Sequence, residues 1–258
     1  MMRRCLPLLI AVACLVAACG DEAAPTTTEA PTTTAAPTTT VAEGPLTIDR
    51  LMAECPTAEE LAAIDADLAL TFEADSTGPD LVCEAAQGSA DLTALQKRAY
   101  NAVRAMQLLP FDAALPWTEL GLYEWFVGAV DGMRFRGDIE LSFCCDPDGI
   151  INLVEGEAGQ ETDLWVNPQN GVGLADLMLL MVHEARHNEG IEHTCGNATL
   201  DATIEEQGAW GVQYSLLVWM ADHVPAAFMR APVEGDPGYY QEMHRGTAEW
   251  VAETFICG

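Results

Sequence analysis

The sequence predicts an α+β domain, mainly helical, with a small β-sheet placed before its central helix. Three observations carry that prediction. From about residue 45 onward, long stretches repeat apolar side chains at helical spacing and begin at capping residues. Between residues 139 and 167 the pattern changes to short runs rich in β-branched and aromatic residues, separated by turn chemistry. Residues 174–187 are then apolar nearly all round until His183, the mark of a helix that runs through a core. By length, residues 45–258 form one domain large enough to bury such a core.

Taken in order, residues 57–71 read as a helix, with Thr57 as cap and Glu60 three residues on, a capping box. Residues 90–109 read as a second helix, capped by Asp91 and stopped by Pro110, with Gln96, Lys97 and Arg98 on its polar face. The aromatic-rich residues 119–130 are a third, and Trp117, Trp125 and Phe126 are assigned to the core. Residues 139–143 read as a strand. Asp146-Pro147-Asp148-Gly149 is turn chemistry, and residues 150–154 are the returning strand. A third strand is expected at residues 163–167, just before the central helix. Beyond it, residues 201–222 read as a long helix with Trp210, Tyr214, Leu217 and Trp219 at core-like spacing. Pro225 and Pro232 then break the chain, and residues 239–255 form the last helix.

The first 44 residues read as export machinery and spacer. Arg3 and Arg4 make a positive start, and residues 6–18 are an apolar run too short to span a bilayer. That run ends in Val16-Ala17-Ala18-Cys19. Small residues before a cysteine resemble the lipobox of bacterial lipoproteins, which implies cleavage of residues 1–18 and lipid on Cys19. Residues 19–44 carry Ala-Pro-Thr-Thr-Thr three times, from Ala24, Ala30 and Ala36. With almost no large apolar side chain, this stretch cannot offset its ordering entropy by burial, and it is read as an extended stalk. The expected location is therefore the extracytoplasmic face of the cell membrane, held there by the lipid.

A formal net charge of −29 argues against nucleic-acid binding and against anionic lipid head groups as a docking surface. The chain is read as a monomer. Of the nine cysteines, Cys5, Cys14 and Cys19 lie at or before the lipobox. Cys55, Cys83, Cys144, Cys145, Cys195 and Cys257 remain, an even number that suits disulfides in an exported domain. Cys55 with Cys83 is the first expected pair, since both flank one helical segment. A bridge at Cys195 would pin the loop just after His193. Cys144 and Cys145 are read as disulfide cysteines, with metal ligation as the alternative.

The chemistry concentrates between His183 and His193. His183 and His187 are four apart, so on a helix both imidazoles lie on one face and can reach one cation. Glu184 stands between them, placed to act as general base toward a water activated by the metal. Gly190 follows by three residues and His193 by three more. Glycine tolerates positive φ, so it can end the helix and turn the chain back to bring His193 in as third ligand. Three of the five histidines of the chain fall in this short stretch.

His183, Glu184, His187, Gly190 and His193 resemble the H-E-x-x-H-x-x-G-x-x-H motif of the metzincins, a family of zincin-type zinc endopeptidases. The resemblance implies one Zn²⁺ per chain held by His183, His187 and His193, with Glu184 catalytic. It implies a zincin-like fold in which an edge strand beside the metal helix pairs with a peptide or protein substrate, here residues 163–167. It also implies a methionine beneath the metal, for which Met220, Met229 and Met243 are available. Gluzincins, a related group, complete the site with a glutamate on the following helix. Glu206 or Glu205 would fill that role, with Asp201 a weaker candidate. Tyr214, His223, Tyr239, Tyr240 and His244 are the candidates for a second electrophile at the oxyanion. The function expected is a surface-anchored zinc metallopeptidase. The alternatives are an inactive binding lipoprotein of the same fold and an amidase or peptidase acting on cell-wall peptides.

Overall fold

Three early helices each begin at a threonine. In α1 (Ile48–Ala53) the Thr47 hydroxyl accepts from the Arg50 amide at 3.2 Å. Both α2 (Ala58–Asp67) and α3 (Ala94–Leu108) open on full capping boxes, Thr57 with Glu60 and Thr93 with Gln96. Such caps satisfy amides that a helix start leaves without partners and contribute about 1 kcal/mol each. The chain here is a computed structural model that describes residues 47–73, 80–109, 114–155, 165–166, 173–196, 199–226, 228–229 and 238–257. The expected signal peptide, Cys19 and the stalk lie outside the described residues.

There are five short strands among the described residues: β1 (Ala69–Phe72), β2 (Leu81–Cys83), β3 (Leu92–Thr93), β4 (Gly132–Arg136) and β5 (Ile150–Val154). They form a three-stranded parallel sheet in the order β1-β4-β5 and an antiparallel β2-β3 pair. A short 3-10 turn lies at Ala85–Gln87, and four further α-helices are described: α4 (Leu122–Ala129), α5 (Leu174–Asn188), α6 (Ala209–His223) and α7 (Tyr239–Phe255). All strands precede α5, and the fold is α+β. Helix α5 packs against α3, α4, α6 and β5, while α7 packs on α6. One core joins the layers, with Phe135 and Leu153 of the sheet, Met178 and Val182 of α5, and Leu216 and Met220 of α6 all fully buried. No helix among the described residues is long and apolar enough to cross a membrane.

Several expectations are corrected. The helix expected over residues 57–71 stops at Asp67, and Ala69–Phe72 instead pairs in parallel with β4. Thr93, not Asp91, caps α3; the Asp91 carboxylate accepts from the Ala85 amide at 2.8 Å. Lys97 and Arg98 are buried rather than on a polar face, and Arg98 Nη2 donates to the Gly173 carbonyl at 2.8 Å. Helix α3 lies under its neighbours, and the guanidinium is tolerated because it binds the carbonyl at the start of α5. The expected helix over residues 119–130 is the shorter Leu122–Ala129.

Residues 139–143 form no strand. Phe143 alone makes an antiparallel bridge to Asn152 of β5, the strand that also pairs in parallel with β4. The Asp146–Gly149 turn forms as read, with the Gly149 amide on the Asp146 carbonyl at 3.0 Å. Of the strand expected at 163–167, Trp165 and Val166 are a buried bend, and the other residues lie outside the described ones. The helix expected from residue 201 begins only at Ala209, after a turn over residues 204–207.

Candidate metal centre

Helix α5 carries two of the three histidines, and its C-terminal end is held on three sides. Arg186 Nε donates to the Gln207 carbonyl at 2.8 Å, and Nη1 pairs with Glu189 at 2.7 Å. Trp125 Nε1 donates to the other Glu189 oxygen at 3.1 Å. The Asn188 side chain donates to the Ala129 carbonyl at the end of α4. Gly190 then takes φ +80°, and its amide closes on the His187 carbonyl at 2.9 Å. A left-handed residue two places past the last helical one turns the chain back over the helix, as the motif requires.

The turn delivers His193 to its two predecessors. The ligand atoms of His183, His187 and His193 all lie within 4.8 Å of one another, a group that can hold a metal ion. Two of the rings have one nitrogen committed. His187 Nδ1 lies 2.8 Å from the Ile191 carbonyl, and His193 Nδ1 lies 2.9 Å from Asp201 Oδ1. When Nδ1 donates to those oxygens, Nε2 keeps its lone pair for a cation. His183 is the most enclosed. Its buried Nδ1 makes no hydrogen bond of good geometry, and the Gln213 side chain on α6 is the polar group that favours its charged form. Burial, with His187 and His193 alongside, pushes the His183 pKa down to about 3. Burial also lowers that of His187. These imidazoles are thus held neutral, the form that ligates.

Glu184 is 5% exposed and opens onto the same cavity as the three histidines, about 530 Å³ in volume. Leu180, Trp210, Leu141, Phe143 and the Cys144–Cys145 pair supply much of its apolar wall, and Glu192 and Thr199 its polar part. Trp210 shoulders the metal group, with its ring centroid 4.3 Å from that of His183 and its plane 18° from that of His193.

The alternative ligands are not gathered here. Glu205 and Glu206 sit on the exposed turn before α6, and the Glu206 carboxylate accepts from Thr194 Oγ1 at 2.5 Å. They miss the histidines because the helix expected to carry them starts later. Asp201 is fully buried and touches His193 rather than joining the ligand group. Tyr214, His223, Tyr239, Tyr240 and His244 do not line the cavity, and His244 is buried against Trp165 Nε1 at 3.0 Å. Neither Met220, Met229 nor Met243 lines it.

The cysteines pair as Cys55–Cys83, Cys195–Cys257 and the adjacent Cys144–Cys145, the last across a cis peptide bond. Sequence reasoning placed Trp210 in the core and Phe143 in a strand, and so missed both as cavity residues. An apolar periodicity cannot tell a core face from the wall of a cleft. Compared with protein-family models, with curated proteins and with solved structures, the chain matches none.

Proposed function

We propose that this chain is a zinc-dependent metallopeptidase, displayed on the outer side of a membrane through lipid on Cys19. One observation carries the reading: three mutually close imidazoles share an open cavity with a buried glutamate one residue from the first of them. The donor set suits zinc, which favours neutral imidazole nitrogen and, with three protein ligands, keeps a position open for chemistry. When bound, zinc would supply Lewis acidity toward a substrate carbonyl and make water a better nucleophile at neutral pH.

The protein's own residues do the rest. His183, His187 and His193 hold the ion, the first two from a helix anchored at its end and the third from the Gly190 turn. Glu184 takes a proton from the attacking water on its carboxylate and returns it to the departing amide nitrogen, so the peptide bond breaks to an acid and an amine. Leu180 and Trp210 give the cavity an apolar wall beside Glu184, which strengthens the electrostatic work of that carboxylate.

The test is a pool of unlabelled peptides incubated with the full-length chain and read by mass spectrometry. Cleavage that stops with a chelator and returns with one equivalent of zinc supports the reading. A folded chain that binds zinc and cleaves nothing would leave it a binding protein. One that takes up no zinc would end the proposal.

A further inference from the structure

We infer that Asp201 is the positioning residue of the third metal ligand, and that the C-terminal segment around Phe255–Cys257 is built into the metal centre through it. The inference rests on the metal-site reading above. Asp201 is fully buried, and its two carboxylate oxygens serve different elements. Oδ1 accepts from His193 Nδ1 at 2.9 Å, and Oδ2 accepts from the Gly211 amide in the first turn of α6 at 2.9 Å. A buried carboxylate needs such partners, and here one is a ligand and the other a helix start, which favours negative charge. With Nδ1 engaged in this way, the ring orientation and tautomer of His193 are set, and Nε2 is left free to ligate.

The backbone of Asp201 is tied in turn to the end of the chain. Its amide donates to the Phe255 carbonyl at 3.0 Å, and its carbonyl accepts from the Cys257 amide at 3.0 Å. Cys257 is disulfide-bonded to Cys195, two residues past His193. The Cys195 amide closes the loop on the Leu200 carbonyl at 2.9 Å. So the stretch just after His193 is fixed at Cys195 and again at Asp201 by one short C-terminal segment. Close packing makes the arrangement hard to vary: a side chain at Gly208 would strike the Asp201 carboxylate.

Affinity for zinc ions, by competition with a chromophoric chelator, tests this on the full-length chain as wild type, Asp201→Asn, His193→Ala and the double variant. Asn keeps the size of the side chain, so circular dichroism should report the same helix content. We expect Asp201→Asn to weaken zinc binding about 10- to 100-fold. In the His193→Ala background the same change should do nothing further, because its route to the metal is gone. An equal loss in both backgrounds would mark Asp201 as a general scaffold residue and overturn the inference. Unchanged affinity in Asp201→Asn would do the same while leaving the metal site standing. No zinc uptake by the wild type would remove both. A Cys195→Ser, Cys257→Ser pair should weaken zinc binding in the same direction. Wild-type affinity there would overturn the part assigned to the C-terminal segment.

Discussion

The indole of Trp210 stacks on the ring of Phe255, with centroids 3.7 Å apart and planes 7° apart. The last helix thereby buttresses the residue that shoulders His183 and His193. Phe255→Ala should cost about 2 kcal/mol, below the roughly 3–5 of a fully buried Phe because this ring is only partly covered. Urea unfolding of the metal-free chain measures it. A loss under about 0.5 kcal/mol, the scale of ordinary surface changes, would show that the stack holds nothing.

A Glu184 variant tests metal holding and catalysis apart. Glu184→Gln should keep zinc at wild-type stoichiometry and lower peptide hydrolysis by about 10²–10⁴, the usual contribution of a general base. Metal analysis and kcat on the same preparation check both halves. Hydrolysis at the wild-type rate would exclude Glu184 as the base.

Gly190 has open space around a would-be Cβ, so backbone conformation alone decides its identity. At φ +80°, Gly190→Ala should cost about 1–2 kcal/mol and loosen zinc binding, since His193 hangs from this turn. Thermal melting with and without zinc reads both effects. An unaltered melting temperature would mean that the turn relaxes freely.

Acid stability should carry the mark of His244. Burial pushes its pKa down from 6.5 to about 3. Between those values the folded chain binds fewer protons than the unfolded one. Stability is undiminished by this group above pH 6.5 and falls as pH drops from there toward 3, by up to about 1.4 kcal/mol per pH unit. Asp176 works the other way: burial raises its pKa from 3.8 to about 6. Its contribution is full below pH 3.8 and lost as pH rises through 6. The wild type therefore shows the sum, and a variant isolates the histidine. His244→Gln should be less stable than wild type at pH 7.5, having lost a well-fitted partner for Trp165, and the gap should narrow toward pH 4.5. Chemical denaturation across that range checks it; a constant gap would sink the assignment.

Capping and turn chemistry were the most legible parts of the sequence. The Thr57–Glu60 box, the Asp146–Gly149 turn, the Cys55–Cys83 pair and the last helix, Tyr239–Phe255, all form as read. All but the disulfide depend on residues close in sequence. The misread strands show where local pattern gives out. Ala69–Phe72 is apolar enough to continue a helix, and only its parallel neighbour Gly132–Arg136 makes it a strand. Residues 139–143 carry a β-like pattern, yet only Phe143 finds a partner, in a single bridge to Asn152 of β5. Pairing between distant segments outweighs local preference.

The same division runs through the site. His183, Glu184, His187, Gly190 and His193 were all readable, because helical spacing and the freedom of glycine at positive φ act over eleven consecutive residues. Those are local rules, and the sequence by itself determined that three histidines could meet. Which residues stand behind them was decided only by tertiary structure. Asp201 reaches His193 because a late-starting helix and a disulfide to Cys257 fold the chain's end under the loop. Trp210 reaches the cleft because α6 packs on α5. Burial of a carboxylate and the facing of two helices are properties of the assembled core, and no spacing along the chain encodes them.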